Sequence, residues 1–269
     1  MSSSETRHDP LPGEQEDAAR VANPARMYDF WLGGKDNYVV DREAAAKLEG
    51  VLPEVPRMVR ANRAFLQRAV TYLADQGIHQ FIDLGAGLPT QMNTHEIARE
   101  RHSDARVVYV DHDPVVLAHA RAILTEDGQT TVIGADVRRP ESILGAPEVR
   151  ALIDFGRPVG VLAMALFHLL DGETPWEIMR AFRAATAPGS HYAISHAEDR
   201  SGGTATRVYR ERTGAGIGRT RDMFASMFTG LDLVAPGVVP CAQWRPDGNI
   251  PPGYEDLPLW VGVGRSPES

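Results

Sequence analysis

The spacing of apolar residues changes along the chain. Between residues 57 and 74, Met58, Phe65, Leu66, Ala69, Tyr72 and Leu73 recur at helical intervals, which predicts a long amphipathic helix stopped by Gly77. A shorter helical stretch over 41–48 precedes it and ends at Gly50 and Pro53. From residue 80 onward, short apolar runs alternate with helical segments. The runs predict strands over 80–84, 106–110, 131–134, 159–164 and 191–195. The intervening segments predict helices over 94–101, from 113 onward, over 147–154 and over 174–186. Asn93 and Glu96 have capping-box spacing, and Asp113-Pro114 reads as a cap followed by a first-position proline. Leu117, Ala120, Ile123 and Leu124 form the apolar face of the helix that follows. The unbroken run at 159–164 suits a strand buried on both faces. A looser segment carries Pro140 and Pro147, and a glycine- and arginine-rich stretch spans 200–219. A helix near 221–228 and two strands at 231–239 and 257–264, joined by a loop over 244–249, complete the pattern.

Such alternation implies right-handed βαβ units, hence an α/β protein with a doubly wound, mostly parallel sheet. The last two strands are expected to form an antiparallel C-terminal edge. Ligands in such sheets bind at the carboxyl ends of the strands, where strand order reverses. We see no internal repeat.

The 269 residues suit one large α/β domain with a small extension, able to bury roughly 70–75% of its unfolded surface. We expect a disordered polar tail over 1–22, a helical lid over 23–77 and a cofactor-binding domain over 78–269. Net charge is −8, from 28 basic and 36 acidic residues, which argues against a general nucleic-acid binder. Nearly all the basic charge is arginine; Lys35 and Lys47 are the only lysines. Cys241 is the single cysteine, so no intrachain disulfide forms; it reads as a small apolar residue in a reducing compartment. The first 22 residues lack the layout of a signal peptide, and no run of about 18 apolar residues is present. The expectation is a cytoplasmic protein that does not span a membrane.

The candidate chemistry centres on Phe81-Ile82-Asp83-Leu84-Gly85-Ala86-Gly87-Leu88-Pro89, where an apolar strand leads to an acid and a glycine pair. Acids fall at the ends of the first three strands: Asp83, Asp111 and Asp136. Asp111 lies 26 residues beyond Gly85, close to the spacing of a ribose-binding acid. Asp136 is a candidate partner for an adenine amino group, with the Val137 N–H reading a ring nitrogen. A dinucleotide needs its pyrophosphate held by backbone donors, yet Pro89 stands near the third-glycine position and has no N–H. S-adenosylmethionine has no phosphate, and Asp83 suits the ammonium of its amino-acid tail. Upstream, Asp29-Phe30-Trp31-Leu32-Gly33-Gly34-Lys35-Asp36-Asn37-Tyr38 reads as an aromatic helix and turn, as a polar-tipped lid over a ligand, or as both.

The chain resembles class I S-adenosylmethionine-dependent methyltransferases, and more closely a bacterial S-adenosyl methyltransferase family formerly of unknown function. Segments 24–38, 60–65, 81–90, 108–120, 135–140 and 236–247 carry the resemblance, the run from Asp29 to Tyr38 most specifically. It implies a Rossmann-like core binding S-adenosylmethionine, partly enclosed by the N-terminal segment. The chain departs from the general class pattern at Pro89. Candidate cofactor contacts are Asp83, Gly85, Gly87, Asp111, His112, Asp136, Val137, Tyr38 and Arg60; no metal is expected. His168 is the candidate general base, with His196, Glu198, Asp36 and Tyr38 as rivals. Residues 200–219 are expected to form a variable cap over the acceptor, and their arginines either meet an acidic substrate or are simply solvated. The expected activity is methyl transfer to a small molecule. The alternatives are a non-catalytic binder of S-adenosylmethionine or S-adenosylhomocysteine, and an NAD-linked reductase. Neither a nucleic-acid nor a membrane partner is expected, and the oligomeric state stays open.

Overall fold

The structure, a computed structural model, describes residues 21–89, 92–124 and 128–268, apart from the side chains at 123 and 124. The tail expected over 1–22 therefore lies outside the described residues except for Val21 and Ala22, as do Thr90 and the side chains of Ile123 and Leu124. Three helices come first: α1 (Pro24–Trp31), α2 (Val39–Glu49) and α3 (Val55–Asp75). The alternation follows as β1 (Gln80–Leu84), α4 (Thr94–Arg99), β2 (Arg106–Asp111), α5 (Pro114–Leu124) and β3 (Thr130–Gly134). Next come α6 (Pro140–Leu144), α7 (Pro147–Leu152), β4 (Gly160–Ala163), α8 (Thr174–Ala185) and β5 (His191–Ala197). The chain ends with α9 (Thr204–Thr213), α10 (Arg221–Ser226), β6 (Asp232–Leu233), β7 (Val239–Pro240) and β8 (Leu259–Arg265).

Among the described residues the strands form one sheet in the order β3-β2-β1-β4-β5-β8-β6, with β7 also paired to β8. From β3 to β5 the pairing is parallel, and β8 runs antiparallel to β5, giving the expected edge. Strand order reverses between β1 and β4, so the crevice opens at their carboxyl ends. Each central strand is apolar on both faces. Phe81, Val107, Leu162 and Ala193 pack with Phe65 of α3 and Ile97 of α4. Ile82, Val108, Val161 and Ile194 pack on the opposite side with Phe182 of α8 and Phe224 of α10.

The N-terminal helices share the first of these clusters, through Met27, Trp31, Ala45 and Leu48. Asp41, fully buried, staples them. Its carboxylate accepts from Asn23 N at 2.9 Å, Tyr38 N at 2.8 Å and Arg26 Nε at 2.7 Å. Removing one member of such a buried pair strands the other's charge, at a cost of roughly 3–5 kcal/mol. The Gly33-Gly34 turn closes on Asp29, whose Oδ2 accepts from Asp36 N (3.0 Å) and Asn37 Nδ2 (2.8 Å). A Cβ on Gly34 would stand 1.9 Å from Asp29 Oδ1, so the turn needs glycine there.

Three segments differ from the sequence pattern. The strand expected over 231–239 is two short bridges, because Pro236 has no N–H and Gly237 turns at φ +85°, donating to Val234 O at 2.8 Å. The proline-marked segment holds α6, with Pro140 at its first position, where the missing N–H costs nothing. The glycine- and arginine-rich stretch contains α9, bracketed by Gly203 and Gly214 in the left-handed region.

Candidate functional site

After β1 the chain turns sharply. Gly85 N and Ala86 N both donate to Val110 O, at 2.8 and 3.1 Å. Gly85 has φ +65°, and a Cβ there would lie 2.6 Å from Leu166 Cδ1, so the approach of the turn to the β4 loop requires glycine. Asp111 ends β2 beside this turn. Its Oδ2 accepts from Gly87 N at 2.9 Å, and its Oδ1 accepts from His112 N (2.7 Å) and Asp113 N (3.0 Å). Three backbone donors thus fix the carboxylate, and Oδ2 keeps acceptor capacity for a ligand hydroxyl. Asp113 in turn caps α5, accepting from Val115 N (2.8 Å) and Val116 N (3.2 Å) on Oδ1, while Asn23 Nδ2 reaches its Oδ2 at 2.5 Å. This last bond ties the N-terminal segment to the crevice.

Asp83 lies inside the crevice, accepting from Thr94 Oγ1 at 2.7 Å. Burial pushes its carboxyl up to about 6, partly offset by that hydrogen bond and by the Arg63 charge, and reinforced by Asp111. A cation arriving here would restore its ionised form. Across from it, α3 presents Asn62 and Arg63. Arg63 Nη2 donates to Met92 O at 2.8 Å, and its charge is felt by Asp83 and Tyr28 alike. Asn62 Nδ2 donates to the Tyr28 hydroxyl at 2.9 Å, which donates to Val59 O at 3.2 Å. Asn62 is 3% exposed, and its Oδ1 is enclosed without a hydrogen-bond partner among the described residues.

A cavity of about 260 Å³ connects these groups. Asp83, Gly85, Gly87, Asp111, His112, Val137 and His168 all line it. Tyr38, Arg60 and Asp136 are not among its lining residues. Tyr38 caps α2 through its backbone, with its ring under the Arg26 guanidinium at 5.0 Å. Arg60 Nε donates to the Tyr254 hydroxyl at 3.2 Å. The Asp136 carboxylate is taken up by Arg138, which holds it below the usual carboxylate range. Its neighbour Val137 is buried on the cavity wall.

His168 sits on a short 3-10 turn, Phe167–Leu169, just after β4. Burial, reinforced by the Arg219 charge, pulls its imidazole down to about 4, so it is neutral at ordinary pH. Its Nδ1 is enclosed and has no hydrogen-bond partner among the described residues. Its rivals are engaged elsewhere. His196 is fully buried, with Nδ1 against Ala197 O at 2.7 Å and Nε2 against Arg219 Nη1 at 3.2 Å. Glu198 lines the cavity but pairs with Arg200 at 2.7 Å, and Asp36 lies 3.7 Å from His119. Cys241 is fully buried against Ala61 O, and burial pushes its thiol up to about 12, which suits a packed residue.

The sequence assigns Tyr28 no role and marks Arg60, Asn62 and Arg63 together as the polar side of α3, able to hold a carboxylate near a cofactor pocket; of the three, Asn62 and Arg63 line the cavity. A signal for Asn62 was present: it falls on the apolar stripe of α3, between Met58 and Phe65, where a polar side chain needs a partner. Whether Arg60 or Arg63 meets the crevice depends on which element covers each, and sequence spacing does not say.

The arrangement fits S-adenosylmethionine. Gly85 lets the turn pass close to the β4 loop, Asp111 keeps acceptor capacity beside the turn, and Asp83 is a buried acid that a cation would ionise. Neither a metal-binding cluster of His, Cys, Asp and Glu nor a helix long and apolar enough to cross a membrane occurs among the described residues. Residues 13–267 match the model of the S-adenosyl methyltransferase family. A crystal structure from Thermobifida fusca YX, named as a candidate methyltransferase, shares 40% identity at a TM-score of 0.90, over 97% of this chain and 100% of that one. A DUF574-family protein from Streptomyces avermitilis MA-4680 shares 37% identity at 0.88, over 93% and 99%. No protein of curated function matches the chain. With its Rossmann-like sheet and its cofactor crevice, the chain belongs to the S-adenosyl methyltransferase family and is an S-adenosylmethionine-dependent methyltransferase.

Proposed function

We propose that the chain methylates a small, largely apolar molecule that carries no negative charge. The observation that carries this reading is the cavity, which runs from the glycine turn to a chamber walled by Leu48 of α2, Leu52, Val55 of α3 and Tyr209 of α9. In this reading residues 23–77 act as a cover over the cofactor-binding part, 78–269. Asp111 holds the ribose, Val137 lies against the adenine, and Asp83 and Arg63 hold the two charges of the amino-acid tail. S-adenosylmethionine, when bound, supplies an electrophilic methyl group on a sulfonium.

The chain's own contribution is orientation, exclusion of water and removal of one proton. His168, neutral and on the cavity wall, takes the proton that the acceptor's nitrogen or oxygen loses as it is methylated. The charge of the wall supports an uncharged or cationic acceptor. Arg63 is the only arginine or lysine lining the cavity among the described residues, while Glu198 and Asp199 stand at the chamber end. Four of the five arginines between 200 and 219 are engaged elsewhere. Arg200 pairs with Glu198 and Asp256, Arg207 with Glu211 and Arg210 with Asp171, and Arg219 donates to Phe167 O, Leu170 O and Gly172 O. A carboxylate or phosphate in the chamber would meet no cation.

Calorimetric titration with S-adenosylmethionine, S-adenosylhomocysteine and NADH tests the cofactor. Micromolar binding of the first two is expected, and binding of NADH alone would defeat the reading. A matched panel of aryl amines, phenols and aryl carboxylates then tests the acceptor. Methyl transfer to the carboxylates in preference to the others would remove the charge argument.

A further inference from the structure

We propose that Asn62 Oδ1 receives the ammonium of the cofactor's amino-acid tail, and that Tyr28 of α1 turns the amide the right way round for it. This rests on the reading above, in which that tail lies between Asp83 and α3.

The orientation of the amide follows from hydrogen-bond bookkeeping. The Tyr28 hydroxyl has one proton, and Val59 O takes it. That hydroxyl can only accept from Asn62, so the amide nitrogen faces Tyr28 and Oδ1 faces away. Burial holds the Tyr28 phenol proton firmly, pushing its pKa up to about 12, so the polarity of this relay does not change with ordinary pH. Oδ1 is left as a buried acceptor with no partner, on a residue that lines the cavity. Buried acceptors are almost always satisfied, so an orphan at a binding site marks the place of a ligand donor.

The cofactor has three kinds of donor. Its ribose hydroxyls belong with Asp111, and its adenine amino group belongs at the Val137 end. The ammonium remains. It belongs near Asp83, and the same Arg63 charge that acts on Asp83 acts on Tyr28, the partner of Asn62. Asp83 and Asn62 Oδ1 then share the ammonium donors, and Arg63 meets the carboxylate. Sites that hydrogen-bond a ligand group reject analogues lacking it, because the site's own polar atoms go unpaired. The consequence is that α1 does more than cover the site: through Tyr28 it sets the polarity of a group that reads the tail.

The experiment is calorimetry with two probes, S-adenosylhomocysteine and 5′-methylthioadenosine, which keeps the nucleoside and thioether but has no amino-acid tail. Asn62→Leu should weaken S-adenosylhomocysteine tenfold or more, the scale for a hydrogen bond to a charged group, and leave 5′-methylthioadenosine within about twofold. Tyr28→Phe should act in the same direction by several fold, since the freed amide can rotate its NH₂ toward the ammonium. Equal losses for both probes, or unchanged affinity for S-adenosylhomocysteine, would overturn the proposal. If Asn62→Leu does not fold, Tyr28→Phe, which removes a single oxygen, decides the matter by the same two outcomes. A wild-type protein that binds 5′-methylthioadenosine as tightly as S-adenosylhomocysteine would also overturn it. Failure of the wild type to bind either probe would instead strike the function reading on which it rests.

Discussion

At the cofactor end of the cavity, Gly85, Gly87, Asp111 and His112 come from two adjacent strand ends and are joined by hydrogen bonds from backbone N–H groups, to Val110 O and to the Asp111 carboxylate. At the chamber end, Leu48, Thr206 and Tyr209 come from α2 and α9, two helices far apart in sequence that pack on each other. The first end is held by groups every residue carries, so only a few side chains are demanded there: glycine where a Cβ would clash, and an acid where three N–H groups converge. The second end is shaped by the side chains themselves, so its shape follows their identity.

The largest expected effect lies at the chamber end. His168→Gln should lower kcat by roughly 10²-fold or more, the scale of general-base catalysis, while S-adenosylhomocysteine affinity stays within about twofold. Because burial holds the imidazole near 4, the ratio of wild-type to variant rates should stay flat from pH 6 to 9. An unchanged kcat would move the proton-accepting role elsewhere, to Glu198 or to water.

Asp83 provides the next test, at the cofactor end. Its folded-state pKa of about 6 lies above its ordinary value of 3.8, so the folded chain binds this proton more tightly than the unfolded chain. Its contribution therefore favours folding below about pH 4 and is lost as pH rises toward 6. Relative to Asp83→Asn, the ligand-free wild type should lose about 2–3 kcal/mol across that window and change little above it. Urea denaturation at a series of pH values reads this directly, and parallel profiles for the two proteins would refute it. Saturating S-adenosylhomocysteine should reduce the loss, because its ammonium favours the ionised carboxylate.

The smallest effects compare two acids that look alike in sequence. Asp111→Ala should weaken cofactor binding by about 1–3 kcal/mol, since its carboxylate, fixed by three backbone donors, is the proposed acceptor for the ribose. Asp136→Ala should cost well under that, because Arg138 already occupies its carboxylate. Equal losses in calorimetry would mean that Arg138 releases Asp136 when the cofactor binds.

Much of the cofactor end was legible in the sequence. The glycine pair, Asp83, Asp111 and Val137 stand where the strand pattern puts them, because a strand end followed by a tight turn leaves side chains few places to go. Asp136 was drawn to the cofactor by the same reasoning, and Tyr38 and Arg60 by the segments that carry the family resemblance; in the structure each of them has another role or partner. Tyr38 sits in a motif specific to the family, but its ring packs under Arg26 and its backbone caps α2. The chamber was legible in part: the glycine- and arginine-rich stretch over 200–219 reads as a cap over the acceptor and does line the cavity, but its helix α9, marked off by Gly203 and Gly214, does not show in the apolar pattern.

What the sequence determined by itself is the alternation of strands and helices from β1 to β5, the caps at Asn93 and Asp113, the glycine turn and the acids at the strand ends. Each of these depends on sterics and hydrogen bonds within a few residues, or on the period of an apolar stripe. Only the tertiary structure decided that Arg63 and not Arg60 meets the crevice, that His196 is locked behind Arg219 while His168 lines the cavity, and that Tyr28 orients Asn62. A helix carries polar residues on several faces, and which of them meets the ligand depends on the element that packs over each face. That is a property of contacts between segments distant in the chain, and no local pattern encodes it.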